Sequence, residues 1–454
     1  MFKSTYLHVT RIIPFLFTLL VISSCSLTDV LDQEPPHALP SDHAIIDLQT
    51  AENALVGTYA QLPEAHIEFM GAYMTGLLRA SSTGAGFVTN EIATNHATVS
   101  NYWSRLYRVV SASNGIIEQL PELTIENEDR KKEIIGSARF LRAYANFELL
   151  KYFGRFDSLS HSDGIILRNS LVQLSGYEKA RSTVSESYAS ILNDLNQALD
   201  EIPVTSKSHY VNKSAVQALM SRFYLFRAYA DNDNASDLNK AIEYADLVIN
   251  NPIYKLEAGF EQAFKKGLNS SEVIWGRFPD KTMKMKYNNY LVSPSPFVMY
   301  GPKLDSLLTG DPRKAFIMGT NPILRTKAII KYYVNNQEID ETLYLIRLPE
   351  IFLIKAEAQW RLKKDLSECK TTLNSILTRL KQQSNATTME QFADELFHHW
   401  TAELFLENGH EWFASIRFKQ IEKLQNLKDK NKYIMPIPLK EMDFNSLMKQ
   451  NNGY

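Results

Sequence analysis

The residues best spaced for chemistry sit near the C-terminus of this chain. His399, Glu403 and Glu407 recur at i, i+4 and i+8 in a helical stretch, with His398 and His410 beside them. That spacing sets three side chains on one helix face, a donor set that suits a divalent metal. The same face equally suits carboxylates that pair with arginines. We take the second reading and expect no metal. Signatures of covalent or nucleotide chemistry are missing: the sequence has no Gly-x-Ser-x-Gly, no phosphate-cradling glycine loop, no dinucleotide glycine pattern and no cysteine pairs for zinc. Carboxylates are plentiful, but a glycosidase pair is defined by a separation across a cleft, which sequence does not supply. The expectation is a protein that binds rather than converts, with no catalytic residues and no cofactor.

Binding a flexible polar ligand needs stacking platforms and hydrogen-bonding rims. Sugar rings pack their C–H faces on aromatic rings, and their hydroxyls need Asn, Asp, Arg or Tyr partners. Two irregular stretches offer both. The first holds Arg79, Phe87, Asn90, Asn95 and His96; the second holds Tyr287, Tyr290, Phe297 and Tyr300, after Trp275. Trp275 lies in a strand-like run and Trp103 on a helix face, so scaffold is the simpler role for each. Phe87, Tyr287 and Tyr290 stand between core and contact. The chain carries 22 Tyr, 23 Phe and 5 Trp, which leaves polar-tipped rings for a surface after the core is filled.

These stretches must be positioned by helices. Glu133–Phe156 is the clearest: Ile134, Ala138, Leu141, Ala145, Leu149 and Tyr152 fall on one face, and Phe140, Ala143, Tyr144, Phe147 and Leu150 on a second. A helix apolar on two sides must be covered on two sides. Arg139, Arg142, Asn146 and Lys151 fall in the polar gaps, and Gly154 is placed for a left-handed C-terminal cap. Look-alike helices return at 215–230 and 347–362, and the Lys-Ala-Ile-Glu-Tyr-Ala run of 237–249 resembles the second helix of a tetratricopeptide unit. Further helices are expected from Ser41 or Asp42 to Leu62, and over 101–120, 183–201, 365–380 and 389–408, with 411–421 following Gly409. Residues 64–100 and 254–345 read as irregular, apart from strand-like alternation at 272–278 and 328–334. The fold class expected is mainly α: a tetratricopeptide-like hairpin scaffold, over 101–250 and 347–425, packed against a loop-rich half within one domain spanning 42–454.

The 454 residues carry 49 Lys and Arg against 51 Asp and Glu, so charge gives no nucleic-acid footprint. At the N-terminus, Lys3 and Arg11 precede an apolar run from Ile12 to Ile22 and then Ser23-Ser24-Cys25. The run is too short to span a bilayer, and its charge layout is that of a signal peptide over 1–24. The small residues before Cys25 resemble a bacterial lipobox, which would make Cys25 the lipidated first residue of the mature chain. Residues 25–41, rich in proline and acid, read as a tether. The other cysteine, Cys369, then has no disulfide partner.

Spread along the chain, a set of segments resembles the SusD/RagB outer-membrane lipoproteins. They include Cys25-Ser-Leu-Thr-Asp-Val-Leu-Asp-Gln-Glu-Pro, the Trp103…Tyr107…Asn114 helix and Ala138-Arg-Phe-Leu-Arg-Ala-Tyr-Ala…Tyr152-Phe-Gly. Ser271-Glu-Val-Ile-Trp, Asp311-Pro-Arg313 and Arg347-Leu-Pro-Glu350 follow in order, then Gly409-His-Glu-Trp-Phe and Met435-Pro-Ile-Pro. The resemblance implies a surface-facing, lipid-anchored protein that covers a TonB-dependent (SusC-like) outer-membrane transporter as a lid. The implied ligand is an oligosaccharide, or peptide in the RagB-like branch, and ligand contacts are implied in the two irregular stretches. A tetratricopeptide adaptor that binds only protein is the rival reading.

Overall fold

The computed structural model describes residues 44–62, 66–79, 84–172, 177–205, 208–277, 299–321, 323, 325–334 and 338–454. Cys25, the tether, Tyr287, Tyr290 and Phe297 lie outside them. Eleven helices of eight residues or more are numbered here: α1 Leu48–Ala60, α2 His66–Met74, α3 Ala97–Gln119, α4 Glu128–Phe153, α5 Val184–Glu201, α6 Lys213–Ala230, α7 Ala235–Ile249, α8 Leu348–Arg361, α9 Leu366–Leu377, α10 Met389–Glu403 and α11 His410–Arg417. Among the described residues, six short strands are β1 Val273–Arg277, β2 Met318–Thr320, β3 Lys327–Ile329, β4 Tyr333–Val334, β5 Glu338–Ile339 and β6 Leu343–Arg347. The mainly helical class is as expected.

Successive helices pack side by side from α3 through α4, α5, α6, α7 and α8 to α9, the stacking of helical hairpins. The best-capped starts are those with a side chain to satisfy a free N–H. Thr183 and Glu186 form a reciprocal capping box at α5, and Asn212 accepts from Ala215 N at α6. At α1 the cap is Asp47, boxed with Thr50, several residues after the expected Ser41 or Asp42.

The central helix is α4. From Ile134 to Phe153 every residue but Arg139 is buried, as two apolar faces require. Of the residues expected in polar gaps, Arg142, Asn146 and Lys151 are buried as well. Arg142 donates to Asp194 of α5 at 2.6 and 2.8 Å and to Asn114 of α3 at 2.8 Å, so one guanidinium ties three helices. Lys151 pairs with Glu148 at 2.6 Å, and Tyr102 donates to the same carboxylate at 2.8 Å. Gly154 does not take the left-handed cap. Its backbone is extended (φ −102°), and a Cβ there would lie 2.7 Å from Leu150 Cδ1 and 3.1 Å from Leu150 O, so a larger residue would have to displace the Leu150 side chain.

The strands differ most from expectation. β1 is present, but its partner is β6, antiparallel, in a stretch read as loop before a helix. The run at 328–334 is broken into β3, paired with β2, and β4, paired with β5. The β1–β6 ribbon is fixed to the scaffold by Trp275. Its ring is fully buried and meets Phe140 and Tyr144 of α4 edge-on, with centroids 4.9 and 5.0 Å away.

The α10 helix stops at Glu403 rather than running to 408. Leu406 and Asn408 are left-handed, and Gly409 (φ +67°) caps α11. That turn frees Glu407 to leave the helix face and enter the charge network described next.

Candidate functional site

The irregular stretches meet. Leu78 and Tyr300 form an antiparallel bridge, Arg79 N donates to Met299 O at 2.9 Å, and Gly301 N donates to Leu77 O at 2.9 Å. Arg79 is exposed and Tyr300 half-buried. Lys327 of β3 lies with its Nζ 5.9 Å from the Tyr300 ring centroid. A cation, an aromatic ring and a second cation thus come from three separate segments onto one surface. Gln425 locks it: its amide donates to Met74 O at 3.1 Å and Val88 O at 3.0 Å, while its carbonyl accepts from Lys303 at 2.8 Å. One side chain from the C-terminal region therefore holds both irregular stretches. Neither Gln425 nor Lys327 carries a signal in local sequence.

The other expected contacts divide. Asn95 is exposed in the turn before α3. His96 caps α3 by accepting from Thr98 N at 3.2 Å. Three residues proposed as contacts are packed instead, which corrects their assignment. Trp275 is core, as described. Phe87 is buried edge-on against His96, with centroids 4.8 Å apart. Asn90 is buried and left-handed (φ 57°), closing the short helix Ala85–Thr89, with its amide donating to Met74 O at 3.2 Å. None of the three presents a free face to a ligand. Tyr287 and Tyr290 lie outside the described residues.

Behind this surface lies a buried charge network. Arg347 donates to Glu407 at 2.7 and 2.8 Å, to Glu272 at 2.9 Å and to the Glu403 carbonyl at 3.0 Å. Arg379 bridges Glu272 and Glu403. Arg313 reaches Glu403 at 3.1 Å and grips Asp311, and Lys331 pairs with Glu407 at 2.6 Å. Four cations face four carboxylates: Arg313, Lys331, Arg347 and Arg379 against Glu272, Asp311, Glu403 and Glu407. All eight side chains are nearly inaccessible. Burial alone would push the Glu403 carboxyl up, but Arg379, Arg347 and Arg313 outweigh it and hold it at about 2. The network joins Arg313 and Lys331, which flank β2 and β3, to the scaffold. It therefore ties the β2–β3 ribbon, which carries Lys327, to the scaffold.

The same geometry answers the metal question. Asp311, His398 and His399 bring ligand-type atoms within 4.8 Å of one another. Arg313 sits among them, donating to Asp311 at 2.7 and 3.0 Å and lying 2.7 Å from His399 Nδ1. Burial, and then that guanidinium, hold His399 neutral, well below its ordinary range. A fixed cation at the centre repels another, so these residues do not fit a metal. Glu403 and Glu407 are committed to arginines.

The architecture is a stack of helical hairpins carrying a loop-built surface. A family model described as starch-binding associating with outer membrane (SusD-like) matches residues 29–225, and the SusD family model matches residues 309–432. The chain belongs to the SusD/RagB family. A SusD-like protein of Bacteroides ovatus is 26% identical over 191 residues, which are 41% of this chain and 34% of that protein. The chain thus aligns with only about a third of that relative's length. Among solved structures, a SusD superfamily protein from Bacteroides vulgatus superposes with TM-score 0.75 at 21% identity, covering 90% of this chain and 100% of the other. A laminarin-binding SusD-like protein superposes with TM-score 0.71 at 18% identity, covering 90% and 100%.

Proposed function

We propose that this is a non-enzymatic, lipid-anchored protein of the outer-membrane surface that binds a nutrient oligosaccharide. It delivers that ligand to a TonB-dependent transporter of the SusC type, over which it acts as a lid. The observation that carries the reading is the junction of Leu78–Arg79 with Met299–Tyr300, where cations flank an accessible ring on a surface braced from behind. A ring offers its face to sugar C–H groups, and Arg79 and Lys327 donate to hydroxyls. A relative with the same fold binds laminarin, which supports a glycan over the peptide alternative. Ligand-binding roles for Arg79, Asn95, Tyr287, Tyr290 and Tyr300 belong to this proposal.

Calorimetry with β-glucan, xyloglucan and α-glucan oligosaccharides and with an oligopeptide panel tests it. Heat with at least one glycan, none with peptides, and no new reducing ends on prolonged incubation are expected. Heat with peptides alone overturns the ligand class, and silence toward both favours a protein adaptor.

Anchoring is tested separately. Cys25→Ala is expected to move the protein from the membrane to the soluble fraction on cell fractionation, because it removes the acylated thiol. A variant that stays membrane-bound shows that the anchor lies elsewhere. Among the described residues, no helix is long and apolar enough to cross a membrane.

A further inference from the structure

Away from that surface, a cavity of about 290 Å³ opens between α3, residues 166–172 with Tyr177, and the short helix Leu439–Phe444. One wall is aromatic: Trp103 and Tyr107 lie with ring centroids 4.8 Å apart, and Tyr177 faces the opening. Glu441 sits at the base. It is buried and already accepts from Trp103 Nε1 at 3.3 Å and from the Tyr177 hydroxyl at 2.9 Å. Asn445 donates to its other oxygen at 3.0 Å, so three neutral donors satisfy the carboxyl. The rim is cationic. Arg168 lies over the Tyr177 ring, 5.1 Å from its centroid, and gives one N–H to the Tyr177 carbonyl. Its main chain is pinned by Asn114, which donates to Arg168 O at 2.9 Å. Arg108 is exposed and has no partner among the described residues, while the exposed hydroxyls of Ser104 and Ser111 complete the lining.

We infer that this cavity is a second carbohydrate site, one that takes a single uronic acid residue of an acidic oligosaccharide. The volume lies at the lower end for small-ligand sites, which fits one ring and not an extended chain. Tyr107 and Tyr177 offer faces to the ring's C–H groups. Two guanidiniums against one occupied carboxylate leave the rim positive, and a guanidinium fork matches a carboxylate in geometry as well as charge. Ser104 and Ser111 serve the hydroxyls. A ring carboxylate makes a charge-assisted pair with Arg108 that a neutral sugar does not make, so the site favours the acid. The inference rests on the glycan reading above and adds a ligand class to it.

Calorimetry on the full-length protein in detergent tests the site. The probes are short oligomers of galacturonate, glucuronate and mannuronate, each beside its neutral methyl ester. At least one acid form is expected to bind tenfold or more tightly than its ester, with a preference that shrinks as salt is raised. Arg108→Ala is expected to erase that preference. Ser111→Trp, which fills the cavity from an exposed helix position, is expected to remove the salt-sensitive binding altogether. Equal binding of acid and ester, or a preference that survives both variants, overturns the inference. If neutral glucans bind and no uronate does, the cavity assignment falls and the proposed function stands. If no glycan of either kind binds, both fall.

Discussion

Arg347→Met is expected to cost the fold about 3–5 kcal/mol, the usual effect of removing one partner from a buried ion pair. Arg347 touches Glu272, Glu403 and Glu407, and it is fully inaccessible. Methionine fills much of the volume but leaves four carboxylates facing three cations in a site where water does not replace the lost charge. Urea unfolding of the purified variant should show a large fall in midpoint, or the variant should not accumulate as soluble protein. Arg347→Met with Glu407→Gln should recover part of the loss, since charge balance returns. A single variant within about 1 kcal/mol of wild type would show that the network contributes little to stability. Acid should act on the same element. The Glu403 carboxyl is held at about 2 against an ordinary 4.5, so its stabilising contribution is present above pH 4.5 and lost as pH falls toward 2. His399, kept neutral in the fold and free to protonate when unfolded, adds to the loss below pH 6.5. Glu403→Gln should flatten the dependence between pH 4.5 and 2.

Tyr300→Ala is expected to weaken glycan binding about ten- to hundredfold, and Tyr290→Ala combined with it should abolish measurable binding. Truncating an aromatic anchor at the centre of a contact costs on the order of 2 kcal/mol or more, and each 1.4 kcal/mol is a factor of ten. Tyr300 is half-buried at the junction of the two irregular stretches, so its backbone position survives truncation through the Leu77–Gly301 and Arg79–Met299 hydrogen bonds. Titration of each variant with the best-bound glucan, with a urea midpoint for each, separates a lost contact from a lost fold. Trp275→Ala is the contrast: it should lower stability by about 3–5 kcal/mol through the cavity it leaves against Phe140 and Tyr144. Unchanged affinity in the Tyr300 and Tyr290 variants would move the ligand off this surface and favour the helical face of an adaptor.

Much of the scaffold was legible because it is written locally. The period of 3.6 places α5 and α6 to within a residue or two, and the two apolar faces of 133–156 correctly require burial all round. Glu403 on α10 and Glu407 in the turn after it both pair with arginines, as expected. The partners were not legible, because an ion pair between Arg347 and Glu272 spans 75 residues and leaves no periodic trace. The same limit hid β6, whose five buried residues look like the run-up to a helix until β1 lies beside them.

The candidate site shows the same division. By itself the sequence determined the class of scaffold, the family resemblance, and which stretches were too irregular and too aromatic to be only core. It could not tell Phe87, Asn90 and Trp275, which the fold packs away, from Tyr300, which it leaves accessible. Only the tertiary structure decided that, because exposure belongs to the surroundings of a side chain and not to its type. It also decided that Arg79, Tyr300 and Lys327 share a surface, through a backbone bridge and the reach of Gln425 across hundreds of residues. Local periodicity specifies helices one turn at a time. A binding surface is specified by what those helices bring together.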